Sequence, residues 1–186
     1  MAQGAPNPGV GSEGKRGPLI GYVAHVKEEL TYRGAIVLVS LEGDPADFIY
    51  TEPVTINRFM QRLLGPRMEG YVATRVLLEP LLGHMDGSAS LVFFDHPAVL
   101  QRRLSLEVPA VVLAPADAPH KQGIWISEKL DGSGEDPLTC WVSPEHRTAA
   151  VALLREAAAG MAPFSLREPF RQLRSAMAEL RGEKPS

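Results

Sequence analysis

From Leu19 to Glu29 apolar and polar side chains alternate: Ile20, Tyr22, Ala24 and Val26 share one face, and His25 and Lys27 the other. That period of two predicts a strand. Gly34 is placed to turn the chain into Ala35-Ile36-Val37-Leu38-Val39, which is apolar on both faces and so expected inside a sheet. The cluster Glu42-Gly43-Asp44-Pro45 predicts another turn, and Asp47-Phe48-Ile49-Tyr50-Thr51 a third strand. Three short strands joined by tight turns predict an antiparallel meander.

Beyond Pro53 the period lengthens. Thr55 is placed to cap a short helix from Ile56 to Leu64, ended by Gly65. Pro66 suits the first position of a second helix, where its missing N–H is no loss. Met68, Tyr71, Val72, Val76, Leu81 and Leu82 give that helix an apolar stripe, and Pro80 should kink or end it near Gly83. Strands are predicted at Ala89–Phe94 and Pro109–Leu113, with a compact helix from Pro97 to Leu104 between them. A hairpin follows, from Ile124-Trp125-Ile126 and Leu138–Val142, with Asp131-Gly132-Ser133-Gly134 as its loop. Ser143-Pro144-Glu145 starts a helix, with a hydroxyl cap, a proline and an acid in its first turn. Gly160 should end it in a left-handed cap. A last helix begins near Pro169.

The resulting order is βββαβαβ, then a hairpin and two helices: an α/β fold, in the α+β sense of a mixed sheet with helices. A three-stranded antiparallel meander followed by αβαβ is similar to the ribonuclease-H-like topology. Residues 1–18 and 183–186 read as tails. Residues 19–182 read as a single α/β domain, with a core at 19–114 and a C-terminal extension at 115–182. The chain length of 186 residues suits one domain at ~100–200 residues each.

Composition narrows the classes. Apolar residues make up 45% of the chain, too many for general disorder. The formal charge is −3, so no basic footprint for duplex binding stands out. Residues 146–186 are the one sizeable basic segment. Nucleic acid is therefore a possible partner that net charge does not support. A single cysteine, Cys140, excludes an internal disulfide. No stretch reaches the ~20 apolar residues that a membrane span needs, and a cytoplasmic location is the expectation.

The ribonuclease-H-like comparison makes a chemical demand. Nucleases of that topology hold two divalent cations on carboxylates from the first strand, the first long helix and the end of the fourth strand. Such ions stabilise both oxygens of a phosphodiester displacement and want oxygen ligands. Asp95 matches the last position, and Glu69 or Glu79 the helix position. The first strand, Leu19 to Val26, has no acid. A catalytic centre built on Asp95, Glu69 and Glu79 would thus lack its central ligand, and Asp95-His96-Pro97 also fits a helix start with Asp95 as cap. His25, His84, His96, His120 and His146 contain no helical i, i+4 pair and no CxxC completes a zinc site, so no metal is expected. Cys140 lies in a buried-strand pattern. No G-x-S-x-G elbow, G-x-G-x-x-G or Walker lysine occurs.

Two other features point to binding. Arg58 and Arg62, at i, i+4, are placed to clamp an anion. Phe170, Leu173, Met177 and Leu180, beside Arg171 and Arg174, form a stripe suited to a partner groove. The outline F-x-x-T-x-P-V-x-x-x-R, from Phe48 to Arg58, then L-x-G and Tyr71, is similar to small uncharacterised bacterial proteins over about residues 19–113. The expectation is therefore a non-catalytic interaction or accessory domain, without cofactor, that binds a protein partner or self-associates. The alternative is a nucleic-acid phosphodiesterase dependent on Mg²⁺ or Mn²⁺ with an atypical ribonuclease-H-like site. A second alternative is a sensor of small anions or nucleotides through Arg58 and Arg62.

Overall fold

The computed structural model describes residues 17–85, 89–101, 106–130, 138–160 and 166–180. The predicted tails fall largely outside these residues, as do the 131–134 loop and the end of the predicted 97–104 helix. An eight-stranded mixed sheet forms the centre, with order β3-β2-β1-β5-β6-β8-β7 and β4 paired to β2. Strands β1 (Leu19–Glu28), β2 (Thr31–Val39) and β3 (Pro45–Tyr50) make the antiparallel meander. After β4 (Val54–Thr55), the chain passes through helices to β5 (Ala89–Phe94) and then β6 (Ala110–Leu113), both parallel to β1. The hairpin β7 (Ile126–Leu130) and β8 (Leu138–Val142) completes the far edge. The ribonuclease-H-like mixed α/β class is thus realised.

Both faces of the sheet are covered, which is why β2 is apolar on each side. Tyr22, Ala24, Leu91 and Phe93 face one layer, made by α4 (Arg147–Gly160) and α5 (Glu168–Glu179). Val23, Ile36, Val92 and Phe94 face the other, with Leu78, Leu81 and Val99. No helix among the described residues is long and apolar enough to cross a membrane.

The differences from the predicted elements have local causes. The β1–β2 turn lies at Glu29, which takes a left-handed φ of 52°, and Gly34 is inside β2 opposite His25. Gly34 is required by packing: a Cβ there would lie 2.9 Å from Leu81 Cδ1 and 3.1 Å from Leu77 Cβ. Asn57, not Thr55, caps α1 (Arg58–Leu64); the Met60 N–H donates to Asn57 Oδ1 at 2.8 Å. Thr55 instead pairs with Thr31 in the sheet.

The helical stretch after α1 is composite. A 3₁₀ turn (Gly65–Arg67) leads to α2 (Met68–Tyr71), then a π segment (Val72–Leu78), then α3 (Glu79–Gly83). The stretch ends at Gly83, where Pro80 near its last turn is expected to stop it. A proline has no N–H and crowds the carbonyl four residues back, and the wider π turns before it, with Glu79 N–H donating to Thr74 O, absorb that defect. Ser143 makes no side-chain cap bond at the turn Pro144–His146. Gly160 has no left-handed φ; what demands glycine is the Leu41 carbonyl oxygen, which would lie 2.5 Å from a Cβ.

Gly34→Val should therefore press the sheet off the π segment. Overpacking of this kind costs about 1–3 kcal/mol, read as a lower urea midpoint with an unchanged m-value. An unshifted midpoint would mean that Leu77 and Leu81 have room to move away.

Candidate active site

The switch in chain direction lies between β1 and β5. From β1 the chain runs outward to β2 and β3, then returns on β1's other side to form β5. In open α/β sheets the crevice at the carboxyl ends of such strands is the usual ligand position. β1 and β5 pair in parallel from Ile20–Leu91 to Val23–Phe94. Two residues beyond that last pair, His25 and His96 emerge side by side, with ring centroids 4.5 Å apart.

Helix α2 brings the third group. Glu69 Oε1 lies 3.9 Å from His96 Nε2, and ligand atoms of His25, Glu69 and His96 all fall within 4.8 Å of one another. Lys27, on the same face of β1 as His25, donates to Glu69 Oε2 at 2.9 Å. This bond holds the Glu69 carboxyl below its ordinary range and raises the Lys27 ammonium. One carboxylate oxygen is thus fixed by lysine while the other faces the imidazoles.

Burial, then the neighbouring His96, pushes His25 down from 6.5 to about 4. His96 is lowered too, mainly by burial. Both rings are therefore neutral at neutral pH, the form that can ligate a metal or accept a proton. The Ala98 N–H donates to His96 Nδ1 at 3.2 Å. In that tautomer Nε2 carries the proton and directs it toward Glu69. A gap of ≈ 20 Å³ lies beneath the two rings, lined by Val23, Leu77, Leu81 and Val99 among others. It is about one water in size, so a larger ligand must engage the cluster from outside.

Asp95 points the other way, because neighbouring strand positions face opposite sides. Its carboxylate pairs with Arg174 of α5, and burial raises its pKa although Arg174 opposes the shift. Asp95 is thus no helix cap: the first free amide of the 3₁₀ turn Pro97–Gln101 goes to His96 instead. Of the other predicted acids, Glu69 joins the cluster, whereas Glu79 pairs with Arg75 at i, i+4 on the helix surface. Phe170, Leu173 and Met177 are buried against this chain's own sheet and cannot anchor a partner. Leu180 is the C-cap residue, Arg171 pairs with Glu168, and Arg174 is committed to Asp95. Arg58 and Arg62 stand exposed on α1. Cys140 is buried, and burial pushes its thiol up to about 12.

Sequence reasoning missed His25 and Lys27. The first strand carries no acid from Leu19 to Val26 and the histidines have no helical spacing, whereas the pair arises across two parallel strands. The one available signal was alternation, which places His25 and Lys27 together on one face of an otherwise apolar strand. An expectation of no metal-ligating group does not survive this cluster.

Comparison of the sequence with protein-family models and with curated proteins gives no match. Solved structures do resemble the fold. Human endonuclease V is 16% identical, with 88% of this chain and 84% of that chain covered and a TM-score of 0.50. Endonuclease V of Ciona intestinalis, solved with a 24mer DNA containing an inosine followed by a ribo-adenosine, is 10% identical over 88% and 87%, with a TM-score of 0.53. The Bacillus subtilis enzyme is 11% identical over 88% and 80%, with a TM-score of 0.50. At these identities the likeness establishes the fold. It also overturns the expectation of a non-catalytic, partner-binding domain: the neighbours sharing this architecture are endonucleases, and the face assigned to a protein partner is internal.

The depressed His25 pKa sets a stability trend. The unfolded chain takes up this proton near pH 6.5 and the folded one only near pH 4, so unfolding is favoured as pH falls through that window. His96 acts in the same direction. Urea unfolding of the wild type should therefore show stability falling from pH 6.5 to 4, and His25→Gln should flatten that slope. Parallel slopes for the two proteins would contradict the assignment.

Proposed function

We propose that this protein is a nucleic-acid phosphodiesterase whose site is the His25–Glu69–His96 cluster. The observation that carries this reading is the convergence of two neutral imidazoles and an ionised carboxylate at the carboxyl ends of β1 and β5, within a fold shared with endonuclease V structures. The Asp95–Arg174 and Lys27–Glu69 ion pairs add charged groups near it.

The donor set decides which ion fits. Mg²⁺ demands oxygen ligands in near-octahedral geometry, and one shared carboxylate with two imidazoles does not supply them. A borderline divalent ion such as Mn²⁺ or Zn²⁺ accepts imidazole nitrogen together with carboxylate oxygen. His25 and Glu69 Oε1 would hold it directly. His96 would join through Nε2 after a change of tautomer that gives up the Ala98 bond. When bound, the ion would polarise a phosphoryl oxygen and lower the pKa of a water.

The remaining steps fall to the protein. Lys27 keeps the Glu69 carboxylate oriented and ionised, a role that outer-shell partners of metal-bound carboxylates commonly fill. The Lys27 ammonium and the Arg174 guanidinium both lie near enough to His25 to disfavour its protonation, and would add positive charge for a phosphodiester bound there. His25, neutral at pH 7, would offer the ion a ring nitrogen without first losing a proton.

The test is cleavage of end-labelled single-stranded RNA and DNA with Mn²⁺, Zn²⁺ or Mg²⁺ supplied separately. Cleavage is expected with Mn²⁺ or Zn²⁺ and should cease with EDTA. His25→Ala and Glu69→Ala should each lower the rate by more than ~100-fold, and Lys27→Ala by ~10–100-fold, as for an outer-shell partner. No cleavage with any ion, or cleavage indifferent to His25→Ala and Glu69→Ala, overturns the reading.

A further inference from the structure

The large apolar side chains exposed among the described residues are Phe48, Phe59, Leu63 and Tyr71. Three of these four lie between residues 59 and 71, the stretch that leads into the active-site helix α2. Phe59 is 71% exposed and Leu63 63%, and α1 buries no residue at all. The helix packs inward through Leu64, beside Tyr32 and Met68, and the fold gains nothing from a phenyl ring that it presents to water on its outer side.

The charges along α1 and the turn after it are of one sign. Residues 54–68 contain Arg58, Arg62 and Arg67 and no aspartate or glutamate. No ion-pair partner for these three arginines occurs among the described residues. On α1, Arg58 and Arg62 stand four apart, and so do Phe59 and Leu63. A helix places such pairs as two adjacent rows on one side. Arg67 and Tyr71 repeat the spacing across the next turn. The net charge of −3 hides this basic run, because Glu69, Glu79, Asp86, Asp95 and Glu107 offset it within residues 55–110.

We infer that α1 and the turn after it form a platform for one strand of nucleic acid, with bases stacked on Phe59 and Tyr71 and phosphates held by Arg58, Arg62 and Arg67. The partner follows from the chemistry. Unpaired arginines interleaved with accessible rings fit a polyanion whose bases are free to stack, and that describes a single strand rather than a duplex. RNA and DNA share both features. The platform adjoins the cluster in sequence, since Glu69 lies two residues beyond Arg67. It rests on the proposed nucleic-acid function for its purpose, though not for its test.

The test is binding without cleavage. Fluorescence anisotropy of a labelled 16-nucleotide single strand, in EDTA, reads affinity for the full chain and its variants. The wild type should bind single-stranded RNA or DNA at least tenfold more tightly than a duplex of the same sequence. Phe59→Ala with Leu63→Ala should weaken binding at least tenfold with little change in salt dependence. Arg58→Ala with Arg62→Ala should weaken it too and lower the slope of log affinity against log salt by about 1.4, at ~0.7 per phosphate contact. Because all four side chains are exposed, thermal melts of the variants should match the wild type, which separates lost binding from lost folding.

Absent binding by the wild type, equal affinity for duplex, or binding unaffected by both double variants overturns the platform even if cleavage at the cluster is found. A wild-type dimer that Phe59→Ala with Leu63→Ala converts to monomer also overturns it, because the apolar row would then serve a second copy of the chain. Strand binding that depends on α1 in a protein that cleaves nothing would uphold the platform and refute the phosphodiesterase reading alone.

Discussion

The parallel pairing of β1 with β5 is the constraint on which the site depends. Parallel neighbours end at the same edge of a sheet, so residues in register beyond their last pair must meet. Val23 opposite Phe94 therefore brings His25 to His96, although seventy residues of chain separate them. The same edge exposes alternate positions to opposite layers. His25 and His96 face the layer that contains α2, and Asp95, one residue earlier, faces α5. One strand end thus distributes an imidazole and a carboxylate to different partners.

Desolvation and local pairing then set the charge states. The two rings are close and partly buried, which disfavours a positive charge on either. Glu69 stays ionised because Lys27 donates to it. Asp95 is pulled both ways, raised by burial and lowered by Arg174. These opposing influences produce a compact set of neutral bases next to fixed charges, in a shallow position where the gap beneath the rings admits little more than a water. Arg174 also makes the last helix part of the site's surroundings. The face of α5 that reads from sequence as a partner stripe is the packing surface that brings Arg174 there.

Much of the fold was legible from local pattern. Alternation in residues 19–29, the doubly apolar run at 35–39 and the apolar block at 89–94 reported strands directly, since their side chains must fill layers on fixed sides of a sheet. The helical stretch after Gly65 was legible in extent though not in form. Its π turns answer to Pro80 and to close contact with Gly34, and the second of these is a tertiary demand. Gly34 shows the limit well: a glycine between strand-forming residues reads as a turn, whereas here a neighbouring helix leaves no space for a side chain.

The sequence alone determined the strand and helix periods and the order of elements, and hence the ribonuclease-H-like class. It could not determine that His25 meets His96 and Glu69, that Asp95 is bound to Arg174, or that the apolar stripe of the last helix is internal. Each of these depends on which segments become neighbours across long loops. Local chemistry fixes how a segment folds, but the approach of β1 to β5 and of α5 to the sheet is set by burying apolar surface over the whole molecule, and only that packing decides which polar groups meet.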